Sequence, residues 1–99
     1  MAAENVKIIA RITARPETAN ELKAVLLRLI GPTRAEEGCV SYEFFEGQTD
    51  PTDFVFVEEW ANAAAIDAHM KSPHVKEAFA SAKTLLGAPP DIRMYRAVD

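Results

Sequence analysis

The sequence predicts a single α+β domain with a ferredoxin-like sandwich fold, in which an antiparallel four-stranded sheet carries helices on one face. Three observations predict it. The hydrophobic period changes from about 2 residues to about 3.6 and back along the chain. The turn-forming residues 47–51 join two strand-like segments as a hairpin. The 99 residues suffice for one modest core. The predicted order is β-α-β-β-α-α-β, and the domain covers residues 1–99.

The chain opens with a predicted strand and helix. Residues 6–15 alternate between two faces, with apolar Ile8 and Ile12 on the same side. Pro16 ends this strand and fits the first turn of a helix. Apolar residues then recur at the spacing of one helical face, at Leu22, Val25, Leu26, Leu29 and Ile30. The Gly-Pro pair at residues 31–32 is expected to kink or interrupt this helix.

A hairpin is predicted next. Gly38 fits the C-cap of the first helical region, and residues 39–46 alternate as the second strand. Three large side chains share one face of that strand: Val40, Tyr42 and Phe44. The third strand covers residues 53–60, and its side chains of interest share one face: Phe56, Glu58 and Trp60. The strand alone does not identify which of its faces meets the helices.

The second helix is predicted in two pieces. Asn62 caps the first piece. Ser72 caps the second piece, which has Pro73 at its first helical position. The buried stripe of that second piece is formed by Val75, Phe79, Ala82 and Leu86. Residues 87–90 end the helix, and residues 92–98 alternate as the last strand.

Large apolar side chains lie on both faces of the predicted sheet, although helices in this topology cover only one. Phe54 and Phe56 lie opposite Val55 and Val57 along the third strand. An exposed apolar surface of that size usually marks a partner surface. We therefore predict a symmetric homodimer in which the two sheets pack against each other.

The composition argues against several classes of protein. The net charge is −4, and no cluster of Lys and Arg suggests nucleic-acid binding. No apolar run reaches the length of a membrane span, and the first residues lack the apolar core of a signal peptide. The single cysteine, Cys39, has no intrachain partner, so a reducing, cytoplasmic location is expected. We interpret Cys39 as a packing residue rather than a nucleophile.

The groups suited to acid–base chemistry are concentrated in residues 54–74. This segment holds both histidines, His69 and His74, and a carboxylate, Glu58, on a strand otherwise rich in Val and Phe. Burial raises the pKa of a carboxyl group and a cationic partner lowers it. Two interpretations of Glu58 stay open. It is either a catalytic group or one half of a structural ion pair with Arg11, Arg15, Arg93 or Arg96.

Each histidine also has two interpretations. His69 shares a helical face with Ile66, so its ring is expected to point toward the sheet or the edge of a cavity. A neutral imidazole there accepts a proton from a bound phenol or enol; the alternative is a core histidine bonded to a backbone carbonyl. His74 follows the Ser72 cap in the first turn of a helix, where the helix dipole favours the neutral ring and anionic substrate oxygens. The alternative is a partly exposed first-turn residue.

A metal site is not predicted. The spacing of His69 and His74 crosses a proline break between two helices and is not a standard same-face ligand pair. The sequence also lacks the glycine-rich dinucleotide and P-loop motifs, and those of serine hydrolases, zinc peptidases and paired redox cysteines. This argues against nucleotide cofactors, serine hydrolases and zinc peptidases.

Short elements in a defined order carry a family resemblance along nearly the whole chain. They are Ala14, Arg15 and Pro16; Pro32, Thr33 and Arg34; Glu36, Glu37, Gly38, Cys39 and Tyr42; Glu58, Trp60 and His69; and Ser72, Pro73, His74 and Phe79. Their order and spacing resemble the antibiotic biosynthesis monooxygenase (ABM) family, which includes bacterial quinol monooxygenases. The resemblance implies a dimeric α+β barrel built from ferredoxin-like subunits.

The resemblance also implies a chemistry that needs no flavin, haem or metal. Members of this type oxidise electron-rich phenols, anthrones or quinols with O2, and the deprotonated substrate itself donates the electrons. The protein then supplies an apolar pocket, a base and positioning groups. The catalytic roles implied fall on His69, His74 and Glu58, and the small aromatic substrate is expected to meet Trp60, Tyr42, Phe56 and Phe79. Which residue is the base stays open.

Related enzymes of the superfamily supply the alternatives. Haem-degrading members resemble one another in an Asn, a Trp and a His ligand, and the matching positions here, Ala10, His69 and Phe79, all differ. Haem degradation is therefore not expected. An isomerase of a phosphorylated signalling sugar has a similar central block, so an acid–base isomerase of a small phosphorylated or enolisable metabolite is an alternative. The negative net charge of the chain gives the isomerase alternative little support, because a phosphorylated substrate would favour a basic pocket. A non-catalytic ligand-binding stress-response module is a third, since a fold does not dictate function.

Overall fold

The computed structural model describes residues 5–99 and has the predicted ferredoxin-like topology. The strands are β1 Val6–Thr13, β2 Cys39–Glu46, β3 Asp53–Trp60 and β4 Asp91–Tyr95. The helices are α1 Ala19–Leu27, α2 Ile30–Arg34, α3 Ala63–Met70 and α4 Pro73–Ala82, with a 3-10 turn at Pro16–Thr18. The sheet is antiparallel in the order β2-β3-β1-β4. None of the helices in the described part of the chain is both long and apolar enough to cross a membrane.

The core lies between one face of the sheet and the helices. On β3 the even-numbered side chains point to the helices, because Phe54, Phe56 and Trp60 are all buried. In the register of the sheet, Glu58 stands between Tyr42 of β2 and Ile8 of β1. Glu58 therefore belongs to the helix-covered face, in a row that is otherwise aromatic and aliphatic.

The predicted break in the first helix is present, but it occurs before the Gly-Pro pair rather than at it. Helix α1 ends at Leu27, and α2 begins at Ile30. The ring of Pro32 would clash with the carbonyl four residues earlier in a continuous helix, and that carbonyl belongs to Arg28. The chain therefore bends at Arg28 and Leu29, where the backbone bonds tighten to i→i−3.

Gly38 reverses the chain between α2 and β2. Its φ of +87° lies in the left-handed region that favours glycine. A Cβ at this position would also stand 2.5 Å from the Cβ of Ala65 on α3. Only glycine therefore lets the turn that carries residues 36–38 pack this closely on α3.

Three predictions about side chains were wrong. Val40 is 53% exposed, because the register shifts between Cys39 and Ser41 and leaves Val40 in a bulge. Cys39 packs against the core instead. Phe79 is 41% exposed rather than part of a buried stripe, because it stands at the mouth of a cavity. Leu85, rather than Leu86, is the more buried of that pair.

The last helix and last strand are shorter than predicted. Helix α4 ends at Ala82, because the chain turns to pair with the end of β1. Leu86 forms a bridge with Ala14, and Gly87 N donates to Thr13 O at 2.8 Å. Strand β4 ends at Tyr95, which pairs with Lys7; the partner strand begins only one residue earlier, so the ladder ends there.

The helix-free face of the sheet mixes apolar and paired charged side chains. Ile9, Phe45 and Tyr95 are exposed large hydrophobic residues of the three strands β1, β2 and β4. Between them, Lys7 pairs with Glu59 at 3.2 Å, and Arg11 pairs with Asp53 at 2.9 Å. The homodimer through this face stays a prediction.

Candidate functional site

An apolar cavity lies between the sheet and helices α1, α3 and α4. It encloses about 60 Å³. Its walls are mainly aliphatic and aromatic. Among the described residues, the ionisable side chains that line it are Tyr42, Glu58 and His69. The partly exposed Met70, Phe79 and Ile92 stand at its rim. This volume is smaller than the roughly 150 Å³ of an apolar cavity that holds benzene, so an aromatic ligand would extend past this rim.

Glu58 reaches the cavity from β3. It is 5% exposed, and its Oε1 accepts a hydrogen bond of 2.8 Å from Trp60 Nε1, two residues along the same face. Burial raises the pKa of Glu58, and the hydrogen bond from Trp60 and the nearby His69 ring oppose this only in part. The cavity therefore contains a carboxyl group that is held in one orientation and resists ionisation.

The structural ion pair considered for Glu58 is not formed. Arg11 pairs with Asp53, Arg15 with Glu17, and Arg93 with Asp91. Within residues 5–99, no Lys or Arg pairs with Glu58. Glu58 is instead a buried carboxyl without a cationic side chain beside it, which is a typical property of a functional group.

His69 lies in the last turn of α3 and is 5% exposed. Its ring packs on Trp60, with centroids 4.7 Å apart, and lies in a T-shaped arrangement with Tyr42 at a centroid distance of 5.9 Å. Its Nδ1 lies 2.7 Å from Glu36 Oε2. The partner of this histidine is therefore a carboxylate, and not the backbone carbonyl considered from the sequence.

His74 lies in the first turn of α4, on the other side of the same carboxylate. Its Nε2 is 2.7 Å from Glu36 Oε2 and 3.4 Å from Ser72 Oγ. His74 does not line the cavity. It lines a separate outer groove together with Pro32 and Glu77. The two histidines thus converge on one oxygen atom but face two different spaces.

Glu36 is the residue that the sequence did not single out as part of the site. It follows α2 in the turn that ends at Gly38, and its backbone N–H bonds to Thr33 O at 3.0 Å. Its side chain is 15% exposed, between the two histidine rings. It lies 33 and 38 residues from them in sequence, so no local spacing signals the contact.

The set Glu36, His69 and His74 has the composition of a 2-His-1-carboxylate metal site, and its ligand atoms lie within 4.8 Å of one another. Its arrangement, however, is that of an acceptor between two donors. One oxygen lies 2.7 Å from both ring nitrogens, which is the length of a charge-assisted hydrogen bond. Metal ligands instead surround a common point at roughly equal separations. The geometry therefore fits a hydrogen-bonded cluster better than an ion site.

The aromatic residues expected at the pocket divide into two groups. Tyr42 and Phe56 line the cavity as a stacked pair with centroids 4.9 Å apart, and Phe79 lines it from α4. Trp60 does not line it, because this fully buried side chain lies behind Glu58 and His69. Burial also raises the pKa of the Tyr42 hydroxyl, so this group stays protonated.

The chain has relatives of known sequence and structure. The family model for antibiotic biosynthesis monooxygenase matches residues 5–81. "Putative monooxygenase Rv0793" of Mycobacterium tuberculosis is 36% identical over 94 residues, which cover 95% of this chain and 92% of that protein. "Putative monooxygenase YcnE" of Bacillus subtilis is 35% identical over 83 residues, covering 84% of this chain and 87% of that protein.

Two solved structures are similar over nearly the whole chain. The structure of Rv0793 has a TM-score of 0.90 at 35% identity and covers 96% of both chains. The crystal structure of PA3566 from Pseudomonas aeruginosa has a TM-score of 0.94 at 28% identity, covering 100% of this chain and 99% of that one.

Proposed function

Because this chain belongs to the antibiotic biosynthesis monooxygenase family, we propose that it is a cofactor-independent monooxygenase that oxidises a quinol, phenol or polyketide-type aromatic with O2. The observation that carries this proposal is the position of His69. Its ring lines an apolar cavity while its Nδ1 is bonded to a carboxylate, and its Nε2 has no hydrogen-bond partner among residues 5–99. A neutral imidazole held in this way is a general base.

In the proposed reaction, His69 Nε2 removes a proton from the bound substrate. The resulting electron-rich anion reduces O2, so no metal or flavin has to supply electrons. For an anthrone-type CH2 group, one oxygen atom becomes the new carbonyl oxygen, and the other leaves as water with the two hydrogens. The substrate is the only reductant in this balance.

Glu58 and the aromatic walls complete the proposed site. The raised pKa of Glu58 suits a carboxyl group that shares a proton with a substrate oxygen. Tyr42, Phe56 and Phe79 supply faces and edges for an aromatic ring. We assign Trp60 to the support of Glu58 and His69 rather than to substrate contact.

The composition of the cavity distinguishes this proposal from the isomerase alternative. A phosphorylated substrate needs cationic or multiple N–H donors around its phosphate. None of the described residues that line the cavity is Lys or Arg, and Glu58 adds a carboxyl group. An uncharged aromatic ligand therefore fits the cavity better than a phosphate ester.

Two further features belong to the proposal. We assign the apolar residues of the helix-free sheet face to a homodimer contact, which would remove Ile9, Phe45 and Tyr95 from water. The unpaired Cys39, whose pKa is raised by burial, suits a reducing compartment, so a cytoplasmic location is proposed.

Oxygen consumption by the purified protein, measured with a panel of hydroquinones and anthrones, tests the reaction. His69→Asn should reduce the rate by about 100-fold or more, the scale of general-base catalysis. Lys71→Ala is the matched control at the C-cap of the same helix, because the Lys71 side chain is exposed and its ammonium pairs with the exposed Asp67. No oxygen uptake by the wild type, or an unchanged rate in His69→Asn, would contradict the proposal.

A further inference from the structure

We propose that Glu36 is a positioning residue that fixes the tautomer of His69, and that His74 acts on His69 through Glu36 rather than on the substrate. This inference rests on the proposed function, in which His69 is the base. It assigns roles to the two members of the cluster that do not line the cavity.

The tautomer follows from the donor and acceptor types. An ionised carboxylate only accepts hydrogen bonds, so the His69 Nδ1 atom 2.7 Å from Glu36 Oε2 must carry the proton. A neutral imidazole has one N–H, so Nε2 keeps its lone pair. The opposite tautomer would set a lone pair against the carboxylate and present an N–H donor, instead of a base, at Nε2. Glu36 thereby performs the orienting role that a carboxylate has beside a catalytic histidine.

His74 reaches the same oxygen from the outer groove. Its Nε2 lies 2.7 Å from Glu36 Oε2, so the carboxylate oxygen receives two donors from opposite elements. Two such bonds fix the position of a carboxylate that lies in a turn rather than on a helix or strand. His74 lines the groove and not the cavity, so its effect on a substrate in the cavity passes through Glu36.

The connection between α3 and α4 holds the two histidine rings close to each other. Ser72 Oγ donates to His69 O at 2.6 Å, which ties the end of α3 to the start of α4. Gly38 packs against Ala65 of α3, and this contact holds the turn that carries Glu36. The turn after α2 therefore meets two neighbouring helix ends, whose histidines lie 33 and 38 residues from Glu36 in sequence.

Histidine side-chain 15N NMR of the full chain tests this inference without substrate. In the wild type, the spectrum should report a protonated Nδ1 and an unprotonated Nε2 for His69, and a protonated Nε2 for His74. Glu36→Leu removes the carboxylate and offers neither a donor nor an acceptor to Nδ1. The His69 signals should then shift toward the other tautomer or a mixture. An unchanged His69 tautomer in Glu36→Leu would overturn the inference, whatever the enzyme activity.

Kinetics supply the second measurement. Glu36→Gln should lower kcat by about 10-fold or more, because a partner that can also donate weakens the preference for the reactive tautomer. It should leave KM within about twofold, because Glu36 does not line the cavity. His74→Asn should give a smaller loss of kcat, because the Glu36–His69 bond remains.

Glu37→Gln is the matched control: it makes the same charge change on the exposed neighbour. A loss expressed mainly in KM, or an equal loss in Glu37→Gln, would contradict the positioning role. An inactive wild type would reject the proposed function while the NMR result still decides this one.

Discussion

Glu36 and His69 are 33 residues apart in sequence, yet Glu36 Oε2 lies 2.7 Å from His69 Nδ1 at the edge of an apolar cavity. The contact joins the turn after α2 to the last turn of α3. The hydrogen bond favours the tautomer of this buried histidine in which Nδ1 carries the proton. Most of the chemistry expected of this site depends on that pair and on Glu58 across the cavity.

Replacement of Glu58 by Gln should stabilise the protein while it reduces activity. Burial raises the pKa of Glu58 above its ordinary value of 4.5. A carboxyl with a raised folded-state pKa stabilises the fold at low pH, and this contribution is lost as pH rises through that pKa. Glu58→Gln has no carboxyl group to ionise, so it avoids this loss of stability at neutral pH, and its amide oxygen can still accept from Trp60. Its Tm at pH 7 should exceed that of the wild type, and the two should converge below pH 4.5.

Thermal unfolding followed by circular dichroism between pH 3.5 and pH 8 measures this difference. A gain of about 1 kcal/mol would appear as about 4–8 °C in a domain of this size. Glu59→Gln is the matched control, because Glu59 is on the opposite face and its pKa is lowered by Asn5 and Lys7; it should lower the Tm. A lower Tm for Glu58→Gln at pH 7 would show that Glu58 is a net stabilising group, in conflict with its burial.

Gly38→Ala should destabilise the protein and disturb the cluster. The new Cβ would meet Ala65 Cβ at 2.5 Å, and the φ of +87° adds backbone strain. Together these should lower the free energy of unfolding by about 1–3 kcal/mol. Urea denaturation measures the change.

Gly31→Ala is the control for Gly38→Ala. It makes the same substitution in helix α2, where no atom of the described residues outside this helix lies within 4 Å of the new Cβ. There the higher helix propensity of alanine is opposed by the contact of its Cβ with the ring of Pro32, so the free energy of unfolding should change by less than about 1 kcal/mol. Equal effects of both substitutions would refute the packing argument for Gly38.

Removal of metal ions should leave the proposed oxidation unchanged. The ring nitrogens of His69 and His74 both lie 2.7 Å from one carboxylate oxygen, so we expect hydrogen bonds rather than an ion between these groups. Oxygen uptake after dialysis against EDTA should equal that of the untreated enzyme, and added Zn2+ should not raise it. A loss on dialysis that divalent ions restore would assign the cluster to a metal instead.

Much of the fold follows from local sequence signals. The alternation of residues in β1 and β3 predicted which side chains share a face, and Ile8, Ile12, Phe54 and Phe56 all lie on the buried one. The predicted cap at Asn62 is confirmed, because its Oδ1 accepts from Ala65 N at 2.9 Å. These features depend on neighbours a few residues apart, which a sequence pattern records directly.

The site was only partly predictable, for a physical reason. His69 and Glu58 could be identified because polar groups on apolar faces need partners. Glu36 could not, because it lies in a turn without periodicity and its contacts span 33 and 38 residues. The bulge at Val40 was missed for a related reason: the register shift depends on the pairing of β2 with β3, which alternation along one strand does not show.

Val57→Glu should dissociate the predicted homodimer without unfolding the subunit. The side chain of Val57 is on the helix-free face, opposite Glu43 of β2 and Ile9 of β1, while its neighbours Phe56 and Glu58 face the helices. A charge there would be buried between two sheets in a dimer but would meet water in a monomer. Sedimentation equilibrium at micromolar concentration should therefore report a dimer for the wild type and a monomer for Val57→Glu, with unchanged far-ultraviolet circular dichroism. Leu27→Glu, on an exposed position of α1, should remain dimeric. A monomeric wild type would remove the reason given for the apolar side chains on this face, and an unfolded Val57→Glu variant would show that the face is needed within the subunit.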